Sequence, residues 1–442
     1  MRIFSYLVFL TLLICQDSRI EISSFNKELI SDTLNFYLDT ENDFDIYYQI
    51  DSIILSPKTV VYKKKTEEKM IDSVFLKNDD IMTALINNQI LLNYQKKHLN
   101  TNFEDIGRRM VSKYYFIDNP PNTNLLIFNK NKIALEIDLF SRFTNSASAI
   151  FGINKNSKSW NLNGEFNLQL ENYLKQAEIF IINWKKIDSL SQKLNFDILF
   201  PHPFGYNTGI HWKYNFETIN GMYINDKKEY SLKSFFPIIN NLELGYVIGS
   251  TTPTYEGKQN DYKKNTFQAF LLKTTKDNRN KRFLATNGSL FSNEINVGVQ
   301  NSTSYFDFKN EYFLYKIFKN NILINFKYKS EGIIALKGET PKSRYKSYGG
   351  VKSLRGYDEN QFFSEQYNIF CLELGYNINN ASQIKFFTDY SSNSLYSVEE
   401  LKVGYGFGFY QITNKYLIEA EYALSNFNPT DGKVHFKLVS IF

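Results

Sequence analysis

Residues Trp160–Asn172 read WNLNGEFNLQLEN, in which Leu162, Gly164, Phe166, Leu168 and Leu170 alternate with Asn163, Glu165, Asn167, Gln169 and Glu171. Successive side chains of a strand point to opposite faces, so this order makes one apolar face and one polar face. The same period returns at Asn321–Lys329, where Ile322, Ile324, Phe326 and Tyr328 oppose Leu323, Asn325, Lys327 and Lys329. It returns again at Lys415–Asn426, where Tyr416, Ile418, Ala420 and Tyr422 oppose Leu417, Glu419, Glu421 and Ala423. From about Phe143 to Phe442, 300 residues, the period stays at two. A membrane-crossing strand takes about 9–11 residues. With turns and outer loops, roughly 19 residues per strand and connection accommodates about sixteen strands. A soluble sandwich also alternates, but around one packed interior with a wet outside. Strands this long, ending in aromatics, favour an all-β transmembrane barrel of antiparallel strands.

Composition narrows the classes further. Aromatic residues make up 17% of the chain, with 39 Phe and 31 Tyr against 3 Trp. That suits aromatic girdles at two membrane interfaces, although a codon bias toward Phe, Tyr, Asn, Lys and Ile raises the same residues. Mean hydropathy is −0.36, and past the N-terminus no apolar run is long enough for a membrane helix. The net charge of +5 is spread along the chain, and its longest basic run is Lys63-Lys64-Lys65. No aromatic-interleaved basic stripe points to nucleic acid. The cysteines, Cys15 and Cys371, are too far apart in sequence to suggest a disulfide framework. His98, His202, His211 and His435 show no metal-ligand spacing, and no serine sits in a nucleophile elbow. The reading is of a non-enzymatic chain without metal or cofactor. Gly404, Gly406 and Gly408 share one face of VGYGFGFY, as a close-packed or bent strand requires; no helix follows to make a phosphate loop.

The first 18 residues have a secretory signal order: Arg2, an apolar stretch from Ile3 to Ile14, then polar residues. Cys15 invites a lipoprotein reading, but Ile14 stands where a small residue is wanted. Residues 19–141 mix periods. Asp79–Tyr94 carries Ile81, Leu85, Ile86, Ile90 and Leu92 near helical spacing, with Asp79 and Asp80 at the N-terminal end. Phe103–Phe116 repeats the pattern with Ile106, Met110, Val111 and Tyr114, and Pro120-Pro121 then breaks the chain. Strands are expected at Tyr47–Leu55, Asn124–Phe128 and Lys132–Phe140, giving β-α-α-β-β. Ser56–Phe75 does not fit that order and leaves room for a partial extra module.

The far end of the chain, Lys433–Phe442, reads KVHFKLVSIF and sets Phe436, Leu438, Ser440 and Phe442 against His435, Lys437, Val439 and Ile441. Tyr348–Phe363 reads YGGVKSLRGYDENQFF, with Arg355-Gly356-Tyr357 on a loop. Two strands follow it. In Asn368–Asn377, Glu373 lies on the face opposite Phe370, Leu372 and Leu374; in Ile384–Asp389, Asp389 lies opposite Ile384 and Phe386. Both carboxylates therefore belong on the polar, lumen face. A guanidinium can fork onto one carboxylate and reach a second, which lysine imitates poorly.

The Arg355-Gly356-Tyr357 loop resembles the signature loop of the BamA/TamA-like bacterial surface-antigen superfamily, and the terminal strand with Phe436, Leu438 and Phe442 resembles the assembly signal of outer-membrane barrels. FPHPF at Phe200–Phe204 with the following GYNTGIHWKYNF resembles an early barrel hairpin of the superfamily, and Asn280–Val299 its middle strand pair. The β-α-α-β-β order is similar to a POTRA domain. The resemblance implies a signal peptide over 1–18, a periplasmic POTRA-like region over 19–141 and an outer-membrane barrel of sixteen strands over 142–442, in a Gram-negative bacterium. It implies a loop folded into the lumen, with Arg355 paired to Glu373 and Asp389. It further implies a factor that captures unfolded outer-membrane or secreted client proteins by strand addition and passes or inserts them at a seam between the first strand, near Arg142–Lys155, and the last. Outer-membrane lipid and accessory lipoproteins are the other implied partners. A dedicated two-partner-type secretion pore and a passive porin-like barrel are the alternative functions.

Overall fold

Two compact units make up the chain, one holding two small sheets, the other the barrel with the segments that lead into it. The computed structural model describes residues 19–22, 48–55, 58–64, 70–77, 80–99, 101–128, 132–156, 159–186, 190–236, 239–281, 283–318, 321–351, 353–393, 401–413, 415–426 and 428–441. The expected signal segment, Cys15 and Phe442 lie outside the described residues. In the first unit, β1 (Arg19–Ile22), β2 (Tyr48–Leu55) and β3 (Lys58–Lys64) form an antiparallel sheet in the order β1-β3-β2. A second sheet has the order β4-β6-β5, from β4 (Ser73–Leu76), β5 (Asn122–Phe128) and β6 (Lys132–Asp138), with β4 parallel to β6. Between β4 and β5 in the chain come α1 (Ala84–Leu91) and α2 (Phe103–Lys113).

This corrects the expected strand order. The strand that opens β-α-α-β-β is β4, inside the stretch that fitted nothing, while Tyr48–Leu55 belongs to the other sheet. Both helices are also shorter than their periodicity. Thr83 is extended, with φ −67° and ψ 154°, and so starts α1 late. Ile86 and Ile90 are buried, but Ile81, Leu85 and Leu92 are exposed.

The barrel comprises β7 (Ser146–Asn156), β8 (Ser159–Glu171), β9 (Ile179–Lys186), β10 (Gln192–Phe200), β11 (Gly209–Ile219), β12 (Tyr223–Phe236), β13 (Asn240–Pro253) and β14 (Asn265–Asp277). It continues with β15 (Gly288–Gln300), β16 (Thr303–Ile317) and β17 (Ile322–Ala335). After two short strands, β18 (Lys346–Tyr348) and β19 (Phe362–Ser364), come β20 (Gln366–Asn379), β21 (Ser382–Ser392), β22 (Lys402–Ile412), β23 (Tyr416–Leu424) and β24 (Lys433–Ile441). Without β18 and β19 these sixteen strands close into one ring, each antiparallel to its neighbours, as the strand arithmetic anticipates. The first strand begins at Ser146 rather than near Arg142, because the Arg142 N–H donates instead to the Phe116 carbonyl at 2.8 Å. Asn280–Val299 contributes one strand, not two. Its first half is a turn in which Asn280 Oδ1 accepts from the N–H groups of Thr286 and Asn287, each at 3.0 Å.

Which way the alternation faces decides between a membrane barrel and a sandwich. Along β20, Phe370, Leu372, Leu374 and Tyr376 are exposed outside, while Ile369, Cys371 and Glu373 are buried inside. Along β21, Phe386 is 63% exposed and Asp389 0%. Apolar side chains outward and charges inward is the reverse of a water-soluble sheet, and closure leaves no unpaired edge in hydrocarbon. The molecule is a transmembrane β-barrel.

Connections differ between the two mouths. At the mouth where β7 begins and β24 ends, here the near mouth, turns are compact. At the far mouth the segment from 336 to 365 joins β17 to β20 and carries the β18–β19 hairpin. The segments before β7 pack on near-mouth turns: the Thr83 N–H donates to the Lys175 carbonyl at 2.8 Å, and Lys113 to Asn207 at 2.9 Å.

Candidate functional site

The 336–365 segment turns into the barrel because its sequence gives it both a hinge and a seat. Gly356 has φ +89°, a region that L side chains rarely adopt, and a Cβ there would lie 2.6 Å from the Leu424 carbonyl. Facing it, a Cβ at Gly404 would collide with the Arg355 carbonyl oxygen. Gly404 of β22 thus lets the loop backbone lie against the wall. Tyr348, Leu354, Tyr367 and Ile369 form a buried cluster over it, with Tyr357 and Phe362 packed alongside.

Arg355 is 5% exposed and occupies the middle of a charge cluster. Its Nε donates to Asp389 Oδ2 at 2.8 Å and its Nη2 to Asp389 Oδ1 at 2.7 Å, the two-bond fork that only a guanidinium makes. The Arg355 backbone N–H adds a third bond to Asp389 Oδ2 at 3.1 Å. Nη1 reaches Glu373 Oε1 and Glu421 Oε1, both at 3.2 Å. Nη2 also lies 2.8 Å from Cys371 Sγ, and the guanidinium carbon stands 3.5 Å from the centre of the Phe387 ring. Lys327 and Lys385 complete the balance, at 2.6 Å and 3.6 Å from Glu373. Three cations thus face three carboxylates, and all of them but Lys327 are buried. A buried set of this kind holds its geometry strongly and is costly to break from one side.

The structure therefore brings Arg355, Gly356, Glu373 and Asp389 together, and Tyr357 joins them by donating its hydroxyl to the Val403 carbonyl at 3.2 Å. Sequence reasoning did not assign Glu421, Lys327 or Lys385 to the cluster. Their parity already placed Glu421 and Lys327 on polar faces, but which strands neighbour one another is not a local property. A second anchor was also missed. Arg344 lies 3.6 Å over Phe267 and 4.8 Å over Tyr305, and it shares Asp307 with Lys346 at 3.4 Å and 2.8 Å. The loop is held on two separated parts of the wall.

The junction of the last and first strands is the other distinctive feature. β23 pairs with β24 continuously from Tyr416↔Ser440 to Ala423↔Lys433. Between β24 and β7 the described residues pair at Ser440↔Ala147 and Ile441↔Ser146, both at the near mouth. Phe436 and Leu438 are exposed on the outer face of β24.

Two of the histidines are bonded through both ring nitrogens. His211 bridges Asp197 at 2.7 Å and Glu243 at 2.8 Å. In the near-mouth turn after β10, His202 Nδ1–H donates to the Tyr206 carbonyl at 2.8 Å, and its Nε2 accepts from the Tyr114 hydroxyl at 3.0 Å. Burial pushes the His202 pKa down to about 4, the Tyr206 carbonyl opposes that shift, and the Lys113 charge adds to it. Among the described residues no His, Cys, Asp and Glu group has the arrangement to hold a metal ion.

No protein-family model matches this sequence, and no characterised protein matches it by sequence. Solved structures do match. BamA from Haemophilus ducreyi lacking POTRA domains 1–3 is similar with a TM-score of 0.56 at 12% identity, over 95% of this chain and 94% of that one. CdiB from Escherichia coli is similar with a TM-score of 0.56 at 12% identity, over 89% of this chain and 80% of that one. CdiB from Acinetobacter baumannii is similar with a TM-score of 0.55 at 13% identity, over 84% and 74%. At these identities the likeness is one of fold: this chain is a closed sixteen-stranded transmembrane barrel built on the same architecture as BamA and CdiB.

Proposed function

We propose that this protein is an outer-membrane assembly or translocation factor of a Gram-negative bacterium, which captures client polypeptides through its N-terminal region and inserts or passes them through the barrel at the junction of β7 and β24. The observation that carries the reading is that junction. Among the described residues it is joined at Ser440↔Ala147 and Ile441↔Ser146, where every other neighbouring pair of barrel strands forms a long ladder. Unpaired strand edges in hydrocarbon are costly, so a short ladder is a place where a client strand gains backbone partners by entering.

Three further features support the same reading. The fold likeness to BamA and CdiB supports it. The order β4-α1-α2-β5-β6, with β4 parallel to β6, agrees with a POTRA-like region, whose edge strand offers a route to capture by strand addition. The lumen loop, seated by Arg355, steadies the wall formed by β20 to β23. Accessory lipoproteins and outer-membrane lipid complete the proposed partners.

Depletion of the protein in its native host, followed by quantitative proteomics of the outer membrane, tests this reading. Loss of many barrel proteins is the expected result for a general assembly factor. Loss of a single secreted partner would redirect the proposal to a dedicated secretion pore. An unchanged outer membrane and secretome would overturn it.

A further inference from the structure

Just beyond the seated arginine, the loop tip places two adjacent carboxylates toward different strands. Asp358 Oδ1 lies 2.7 Å from Nζ of Lys433, the first residue of β24. Glu359 Oε1 lies 3.2 Å from Nζ of Lys185 on β9, which in turn lies 3.7 Å from Glu165 on β8. Asn360 Oδ1 follows, accepting from Ser347 at 3.0 Å and from Lys193 on β10 at 3.5 Å. In the ring, β24 is on one side of the junction with β7, and β8 and β9 are on the other. Consecutive loop residues thus hold the two flanks of the junction together from inside.

The position along the junction matters as much as the charges. The backbone pairs Ser440↔Ala147 and Ile441↔Ser146 close its near-mouth end. Lys433 stands at the opposite end of β24, where the described residues show no pairing to β7. A single ion pair as exposed as Asp358 with Lys433, where Asp358 is 71% exposed, fastens little by itself. Here both carboxylates sit on one short piece of backbone, fixed by a buried arginine three residues earlier. Holding the backbone removes the loop's share of the ordering cost and leaves only the side chains' share.

We propose that Asp358 and Glu359 form an ionic clasp across the strand junction: with Arg355 seated, the loop tip ties Lys433 to Lys185 and keeps the far-mouth half of the junction shut. The clasp and the short backbone ladder are two separate closures, one at each mouth. The clasp rests on the reading that the junction opens. It adds what controls the opening, namely charge at the loop tip, so that movement of the loop is coupled to release of β24.

The test is a distance measurement in lipid nanodiscs on the full chain in a Cys15→Ser background. Spin labels at Ile153→Cys and Val434→Cys report across the far-mouth half of the junction, because Val434 is exposed and the register from Ala147↔Ser440, carried along both strands, sets the two positions opposite one another. Cys371 is buried and is left in place. With the clasp intact, one short distance is expected. Neutralising it with Asp358→Asn and Glu359→Gln together is expected to widen the distribution by about one strand spacing, ~5 Å. Molar salt should do the same to the unaltered tip, since partly exposed charges are screened. Exchanging the charges, Asp358→Lys with Lys433→Asp, should restore the short distance.

An unchanged distance after neutralising both carboxylates would overturn the clasp. So would a charge-exchanged variant that stays wide. Neither result bears on whether the junction opens during client handling. That reading stands or falls on covalent locking of Ala149→Cys to Leu438→Cys, so the two failures are distinguishable.

Discussion

At Arg355, three carboxylates and two lysines share one small volume, and the chemistry of a single side chain sets the outcome. Removing the guanidinium leaves Asp389, Glu373 and Glu421 with Lys327 and Lys385 as their cations, neither of which an ion pair within 4 Å joins to Asp389. Arg355→Ala is expected to destabilise the folded barrel by roughly 3–5 kcal/mol, the usual cost of breaking a buried pair from one side. Arg355→Lys should recover only part of that, since an ammonium cannot make the fork. The temperature at which the heat-modifiable band on a gel loses its folded mobility measures both; equal stability of Arg355→Lys and the unaltered protein would contradict the geometry. A second residue-scale expectation separates two neighbouring glycines. Gly404→Ala drives a methyl group into the Arg355 carbonyl and should unseat the loop, whereas a methyl at Gly408 lies 3.0 Å from Tyr410 and 3.1 Å from Glu421 Cγ, side-chain contacts relieved by shifts of a few tenths of an ångström. Protease sensitivity of the 336–365 segment should rise for Gly404→Ala and stay near normal for Gly408→Ala. The pairing of Arg355 with Glu373 and Asp389 was implied by the family resemblance; what the strands themselves made legible is that both carboxylates face the lumen, because parity is local and each face follows from its own strand. Arg344 over Phe267 and Tyr305 was not, because those rings come from strands far away in sequence.

Among the secondary-structure elements, the contact between the end of α2 and the turn after β10 supplies a pH dependence. His202 titrates near 6.5 when the contact is broken and at about 4 when it is made, because burial disfavours the imidazolium. The open state therefore takes up the proton first. The contact should be unaffected above pH 6.5 and weaken as pH falls from 6.5 toward 4, by about 2–3 kcal/mol over the whole interval. Hydrogen exchange of the α2 amides, corrected for the intrinsic pH dependence, should show this loss of protection, and His202→Phe should remove the slope. A slope that persists in His202→Phe would assign it to another group. The same scale explains where the sequence reading of elements succeeded. Barrel strands were visible because two-residue alternation over a long strand is a strong signal. The opening strand of the N-terminal β-α-α-β-β order was misplaced because β4 spans only Ser73–Leu76, while Tyr48–Leu55 has twice the length and a fuller strand pattern. What selects β4 is its parallel ladder with β6, formed across the intervening helices, which no local pattern announces.

Across the whole molecule, strand number followed from chain length and strand length, since a closed ring of long strands admits few counts. The weakness of one junction was expected from the family resemblance alone, because β7 and β24 lie at opposite ends of the barrel sequence and each looks like an ordinary strand by itself. That junction, the lumen loop and the loop-tip charges now form one arrangement: a buried arginine fixes the loop, the loop tip spans the junction, and a short ladder completes closure. The central claim is that clients are handled by opening between β7 and β24. Its most direct test is a disulfide between Ala149→Cys and Leu438→Cys in a host that carries no other copy, with outer-membrane and secreted proteins quantified before and after reduction. The expected result is that oxidation halts client assembly or export while the barrel stays folded, and that reductant restores it. Normal client levels with the junction covalently shut would contradict the account.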